Sequence, residues 1–153
     1  MSWPHLFAIV LCAALLPGET AAQGNALRVG IGFGENPRPV RPTAPINDLQ
    51  GMSAALQRCW RPPPIDQANG PVDVGFHISF KRSGGLFGKP RTVMFSRDLT
   101  PERRDLYHLA VAEALDLCSA LPFTDSMGGA VAGRVLRIQL IDMRNKRQVL
   151  LHG

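Results

Sequence analysis

Residues 72–80 read Val-Asp-Val-Gly-Phe-His-Ile-Ser-Phe, and an apolar side chain occupies every second position of this stretch. Such alternation is typical of a β-strand with one buried face, because successive side chains point to opposite sides of a strand. The glycines at positions 84 and 85 predict a hairpin turn. The chain is expected to return through Leu86 to Phe95 as a second strand, and Pro90 favours an edge position or an irregular start.

Two helices are predicted, one on each side of this hairpin. Upstream, Asn47 begins the pattern of a capping box, and apolar residues recur at helical spacing up to Cys59, just before a run of prolines. Downstream, Thr100 followed by Pro101 is typical of a helix start. The buried side of this second helix is expected to end at Cys118.

A third strand is predicted between Val135 and Ile141, where apolar and polar residues alternate again after a glycine-rich loop. The order helix, strand, strand, helix, strand predicts an α+β domain over residues 47–142. We expect a small three-stranded antiparallel sheet with two helices packed on one face. Residues 143–153 are basic and then apolar, and are expected to form either a short strand or a loose tail.

The N-terminal residues 1–22 have the layout of a secretory signal peptide, with an apolar run that ends in small residues. The run is about half of the ~20 residues that a membrane-spanning helix needs, so cleavage after Ala22 is expected. An uncleaved anchor is the alternative. Residues 23–46 are rich in glycine and proline, which predicts an extended arm rather than a helix.

Removal of this leader would take Cys12 with it and leave Cys59 and Cys118. Two cysteines in an oxidising compartment favour one disulfide, and two free buried thiols are the alternative. Both residues fall in the last turn of a predicted helix. Two helices on one sheet would allow these ends to come within bonding distance.

The chain carries a formal net charge of +5, and fourteen of its 17 basic residues are arginine. Arginine favours bidentate contacts with carboxylates and phosphates. An acidic glycan, a lipid surface and an acidic protein face are therefore candidate partners. Nucleic acid is not expected, because the arginines are scattered and no basic run with interleaved aromatics occurs.

No catalytic residue, cofactor site or metal site is predicted, and the protein is not expected to be an enzyme. Its serines and histidines are not paired by spacing, and no nucleophile-elbow or His-Glu-x-x-His motif occurs. The glycines at positions 30, 32 and 34 lack the spacing of a phosphate-binding loop. Binding through an exposed sheet edge is expected instead, unless the arm or the tail covers that edge.

Five short motifs follow one another between about residues 48 and 142. They are Cys59-Trp60-x-Pro62-Pro63, the alternation from Val72 to Ile78, Gly84-Gly85-x-x-Gly88-x-Pro90, the helical positions Ala110, Ala114, Leu115 and Cys118, and Leu121-Pro122-Phe123. In this order they resemble the C-terminal domain of the TonB/TolA envelope proteins of Gram-negative bacteria.

The resemblance implies an exported, periplasmic module that binds by contact. Its partner would be an envelope protein or a peptide of an outer-membrane receptor, bound by strand addition. Carried over by position, the last strand would be the docking edge, with Val135, Arg137, Gln139 and Ile141 as the partner-binding residues. The alternative is an inner-membrane-anchored energy transducer of TonB type, facing the periplasm and supporting outer-membrane transport.

Overall fold

The computed structural model describes residues 26–31, 38–64, 71–96 and 99–144. The predicted signal peptide, residues 1–22, lies outside the described residues, and so does the tail beyond residue 144. The described residues form four strands and three helices. In chain order these are β1 (Leu27–Ile31), α1 (Leu49–Cys59), β2 (Val72–Ile78), β3 (Arg91–Phe95), α2 (Pro101–Leu117), α3 (Asp125–Val131) and β4 (Leu136–Asp142).

The four strands form one mixed sheet in the order β1-β4-β2-β3. Strand β2 runs antiparallel to both of its neighbours, β3 and β4, whereas β1 runs parallel to β4. The α+β class is confirmed. The prediction of a three-stranded antiparallel sheet with two helices is wrong, because it lacks the parallel strand β1 and the helix α3.

Strand β1 comes from the segment predicted as an extended arm. The extended backbone is present, but Leu27 and Val29 also pair with Ile138 and Leu140 of β4. The glycines around this segment disfavour a strand, and the partner strand lies near the other end of the chain. Parallel pairing between such distant segments leaves no local turn signal, unlike a hairpin.

The hairpin of β2 and β3 agrees with the sequence pattern, but its second strand is shorter than the predicted span from Leu86 to Phe95. Strand β3 begins at Arg91, directly after Pro90, and lies at an edge of the described sheet. In the turn, Gly84 has a φ of 82°, a conformation that glycine adopts without steric cost. A Cβ atom at this position would lie 1.8 Å from the carbonyl oxygen of Leu121, so the turn packs too closely for any other residue.

The start of α2 is as predicted, whereas the start of α1 is shifted by one residue. The Oγ1 of Thr100 accepts a hydrogen bond from the backbone N–H of Arg103 at 3.4 Å. In α1 the cap is Asp48, whose Oδ1 accepts from the N–H of Gly51 at 2.7 Å. The predicted cap Asn47 instead accepts a hydrogen bond from the hydroxyl of Thr124 at 3.0 Å.

Helix α3 occupies part of the segment predicted as a glycine-rich loop. Thr124 caps it, accepting from the N–H of Met127 at 3.3 Å. A Cβ atom at Gly128 would lie 2.3 Å from the carbonyl oxygen of Arg82. The glycine therefore serves close packing of the helix against the hairpin turn, although its helix propensity is low.

The hydrophobic core lies between the helices and one face of the sheet. Its fully buried members include Met52 of α1, Tyr107 of α2, Val74 and Phe76 of β2, and Ile138 of β4. The predicted disulfide between Cys59 and Cys118 is confirmed, with a Cα–Cα distance of 5.8 Å. It joins the last residue of α1 to the residue that caps the end of α2.

Candidate functional site

Strand β4 lies between β1 and β2 in the sheet, so it is not the free edge that was expected for docking. It pairs along its whole length with β2 on one side, and with β1 from Ile138 to Asp142 on the other. A partner strand cannot add where both backbone edges are already paired. The four residues predicted to bind the partner instead lie on the face of the sheet opposite the core or beside it, where Val135 and Arg137 are exposed and Gln139 and Ile141 are half-buried.

The outer edge of β1 is covered by helix α1. The hydroxyl of Ser53 donates to the carbonyl oxygen of Arg28, and the side-chain amide of Gln57 donates to that of Gly30, each at 2.7 Å. Residues two apart in a strand direct their carbonyls to the same side. These bonds therefore occupy two carbonyl groups on the side of β1 that faces away from β4, and α1 covers this end of the sheet.

Strand β3 forms the opposite edge of the described sheet, and no described strand pairs with its outer side. The N–H of Ser96 donates to the carbonyl of Asp73 at 2.9 Å, which turns the backbone of Ser96 toward β2. By alternation, the N–H and C=O groups of Phe95 point outward. A bulge opposite Gly75 and Phe76 interrupts the pairing, and Val93 is 42% exposed.

A groove lies between this edge and helix α2, and we call it the β3–α2 groove. One depression of about 560 Å³ is lined by Thr92 to Ser96 together with Arg104 and His108. A second, of about 190 Å³, shares Thr92 and His108 and ends at Asp116. Between them it is lined by apolar side chains, those of Leu86, Pro90, Val111, Ala112 and Leu115.

Contacts within the groove link β3 to α2. The Oγ1 of Thr92 and the Nδ1 of His108 are 3.1 Å apart, within hydrogen-bond distance. The ring of Phe95 meets the His108 ring edge to face, with 4.9 Å between the ring centres. The guanidinium of Arg104 lies 5.8 Å above the Phe95 ring, and its Nε donates to the carbonyl of Leu99 at 3.2 Å. The groove thus has an aromatic floor and a basic rim.

The sequence contained a signal for this groove. Pro90 marks β3 as an edge, and Arg104 and His108 are four residues apart, so they share one face of α2. The sequence does not show, however, that this face of α2 lies beside β3. The groove therefore depends on the packing of the helix against the sheet.

A buried polar network connects the end of β4 to α2. Asp142 and Arg144 are 2% and 5% exposed, and their side chains form an ion pair with an Nη2–Oδ2 distance of 2.8 Å. The hydroxyl of Tyr107 donates to the same carboxylate at 2.9 Å, and the Nη2 of Arg144 also donates to the carbonyl of Pro63 at 2.5 Å. This network was not predicted, since the residues belong to three separate segments.

The network raises the pKa of Tyr107 above its usual value. Burial is the main cause, and the nearby carboxylate of Asp142 adds to it, because both disfavour a phenolate. The folded protein therefore keeps the phenol proton at a pH where the unfolded chain has lost it. This contribution to stability is complete below pH 10 and is lost as the pH rises through the raised pKa.

We accordingly expect the free energy of unfolding to fall by about 1.4 kcal/mol per pH unit above the usual tyrosine pKa of about 10. Denaturant titrations at a series of pH values would measure this slope. Tyr107 is the single tyrosine of the chain, so its ionisation can be followed directly by phenolate absorbance. A Tyr107→Phe variant should lack the tyrosine-dependent slope, and an unchanged slope in that variant would contradict the assignment.

The groove presents hydrogen-bonding, aromatic and cationic groups. The described residues include no group of three or more histidine, cysteine or acidic side chains placed to hold a metal ion. Among the helices described, none is both long and apolar enough to cross a membrane. His108 lies within hydrogen-bond distance of Thr92 and packs against the ring of Phe95, and it lines the same depression as Arg104.

The comparison with protein families matches residues 42–144 to the model of a family described as "Uncharacterised conserved protein UCP034077". The match covers more than half of the chain, and the protein belongs to this family. It includes α1, the β2–β3 hairpin, α2, α3 and β4. Searches of curated proteins and of solved structures found no match. The family description states no activity or partner, so the TonB/TolA resemblance stays a prediction.

Proposed function

We propose that this protein is a periplasmic protein-interaction module, similar to the C-terminal domain of TonB/TolA, that binds an extended segment of an envelope protein by strand addition. The docking edge in this proposal is β3. The observation that carries it is the position of β3 at the edge of the described sheet, beside a groove, while α1 covers the other edge. The disulfide between Cys59 and Cys118 is consistent with an oxidising compartment.

An added strand would find both backbone and side-chain partners at this edge. The outward backbone groups of Phe95 would pair with it, because main-chain hydrogen bonds supply much of the affinity in strand addition. Every second side chain of the added strand would point toward the helices and enter the β3–α2 groove. The bulge in β3 limits continuous pairing, so the bound segment is expected to be short.

The groove also specifies the chemistry of the bound segment. Its apolar end, at Val111 and Leu115, suits an aliphatic or aromatic side chain. The basic rim at Arg104 suits a carboxylate two positions further along the strand. We expect an extended peptide that combines an apolar and an acidic residue on the same side.

A substitution on the edge would test this proposal. Val93→Lys places a charge on an exposed edge position, which is a means by which natural proteins prevent strand addition. For peptides selected from a displayed random library on the wild-type protein, we expect roughly tenfold weaker binding, about the loss from leaving a valine unburied. Leu109→Lys is the matched control, since Leu109 is 59% exposed on α2 and lines neither depression.

Hydrogen exchange would locate the bound peptide. The amide of Phe95 should become protected when the peptide binds, since strand addition pairs this N–H group. Equal weakening by the two lysine variants would count against the docking edge. So would protection confined to α1 and β1.

A further inference from the structure

The face of the sheet opposite the core carries a row of basic residues. His77 of β2 is paired with Arg91 of β3 on one side and with Arg137 of β4 on the other. Residues directly opposite each other point to the same face, with Cβ atoms about 5 Å apart. Three adjacent strands thus place one exposed arginine on each side of a single histidine.

No carboxylate within the described part of the chain neutralises this row. Asp73 is the acidic residue of β2 on the same face, but it lies four residues from His77, about 13 Å along the strand. Its Oδ2 accepts a hydrogen bond from the side chain of Gln139 at 3.4 Å. The Nη2 of Arg137 meets the Sδ of Met94 at 3.9 Å. Arg91 and Arg137 lie two strands apart, about 10 Å, so an anion bound between them would interact favourably with both guanidinium groups.

Two exposed apolar side chains border the same row. Phe87 is 63% exposed and Val135 is 68% exposed. Together with His77, Lys89 and Arg91 they line a depression of about 180 Å³. We call these five residues, together with Arg137, the basic face. Surfaces that lie at the interface between a membrane and water typically combine lysine and arginine with exposed phenylalanine.

We propose that the basic face binds an anionic phospholipid surface. Lys89, Arg91 and Arg137 would contact the headgroups, while Phe87 and Val135 enter the boundary between headgroups and acyl chains. A free acidic glycan would satisfy the cations but would leave the two apolar side chains in water. This inference goes beyond the proposed strand addition, since the basic face and the edge of β3 are different surfaces.

Sedimentation with lipid vesicles would test this proposal. The probes are phosphatidylcholine vesicles with and without phosphatidylglycerol, and the readout is the ratio of the two partition coefficients. Both partition coefficients are measured on the same protein preparation. Any binding of the N-terminal segment that is equal for the two vesicle types therefore cancels in the ratio. The wild type should prefer the anionic vesicles, and added salt should weaken the preference.

Removal of two cations should reduce that preference. We expect Arg91→Gln with Arg137→Gln to lower the ratio on the order of 25-fold, about fivefold for each cation removed. Arg58→Gln with Arg61→Gln is the matched control, because it removes the same charge from exposed positions at the end of α1. Phe87→Ser should lower binding to anionic vesicles without altering its dependence on salt.

Several results would overturn the proposal. They are an equal fall in the control pair, equal binding to neutral and anionic vesicles, and unchanged binding by Phe87→Ser. Binding to an acidic polysaccharide without any vesicle preference would assign the basic face to a glycan instead. Circular dichroism and the thermal midpoint should match the wild type for every variant, which ensures that a loss of binding does not come from unfolding.

Discussion

Replacement of Asp142 by asparagine is expected to lower the free energy of unfolding by about 3–5 kcal/mol. The substitution nearly preserves the shape of the side chain but removes the counter-ion of Arg144, which is 5% exposed. A buried cation without its partner is among the most destabilising features of a folded protein. Urea titration at neutral pH would measure the loss.

A triple variant separates the charge from the packing at this site. Tyr107→Phe, Asp142→Leu and Arg144→Met together remove the carboxylate, its cation and its phenol donor while keeping similar volume. Replacing a buried ion pair with apolar residues is often neutral, so most of the lost stability should return. If the triple variant is as unstable as Asp142→Asn, the burial of an unpaired charge is not the cause.

Removal of the disulfide is expected to cost about 4 kcal/mol of unfolding free energy. The bridge closes a sequence separation of 59 residues, so its loss frees a large part of the unfolded chain. The double variant Cys59→Ala with Cys118→Ala should have nearly the unfolding free energy of the reduced wild-type protein. It should be slightly lower, because each alanine leaves a small cavity at a buried position. Denaturant titration with and without reductant measures both quantities.

The reductant also serves as the control for this prediction. It should destabilise the wild type and leave the double alanine variant unchanged, because that variant has no bridge between α1 and α2. Equal sensitivity of the two proteins to reductant would contradict the prediction. A change of less than about 1 kcal/mol on reduction would show that residual structure in the unfolded chain offsets the constraint.

Much of the secondary structure was predictable because its signals are local. The alternation in residues 72–80 indicates a strand that is buried on one side, and Thr100 followed by Pro101 indicates a helix start. These patterns arise from neighbouring residues and need no knowledge of the rest of the fold. Helix α3 was missed because Gly128 and Gly129 have low helix propensity, while the close packing that stabilises the helix involves Arg82.

The candidate site was less predictable because edges and grooves are properties of the assembled sheet. The predicted binding residues were placed on an edge strand, but β1 pairs with Ile138–Asp142 of that strand and removes most of its free edge. They are Val135, Arg137, Gln139 and Ile141. The β3–α2 groove requires Arg104 and His108 to face Thr92 and Phe95 across two elements. Neither arrangement leaves a signal within a few residues of sequence.

By itself, the sequence determined the α+β class, the hairpin, the two long helices and the two cysteines that end them. Tertiary structure alone decided the order of the strands, the closure of one edge by β1 and α1, and the open edge at β3. It also decided the burial of Asp142 with Arg144. The reason is physical: helix and strand periodicity depend on neighbouring residues, whereas strand pairing and burial depend on contacts between segments far apart in the chain.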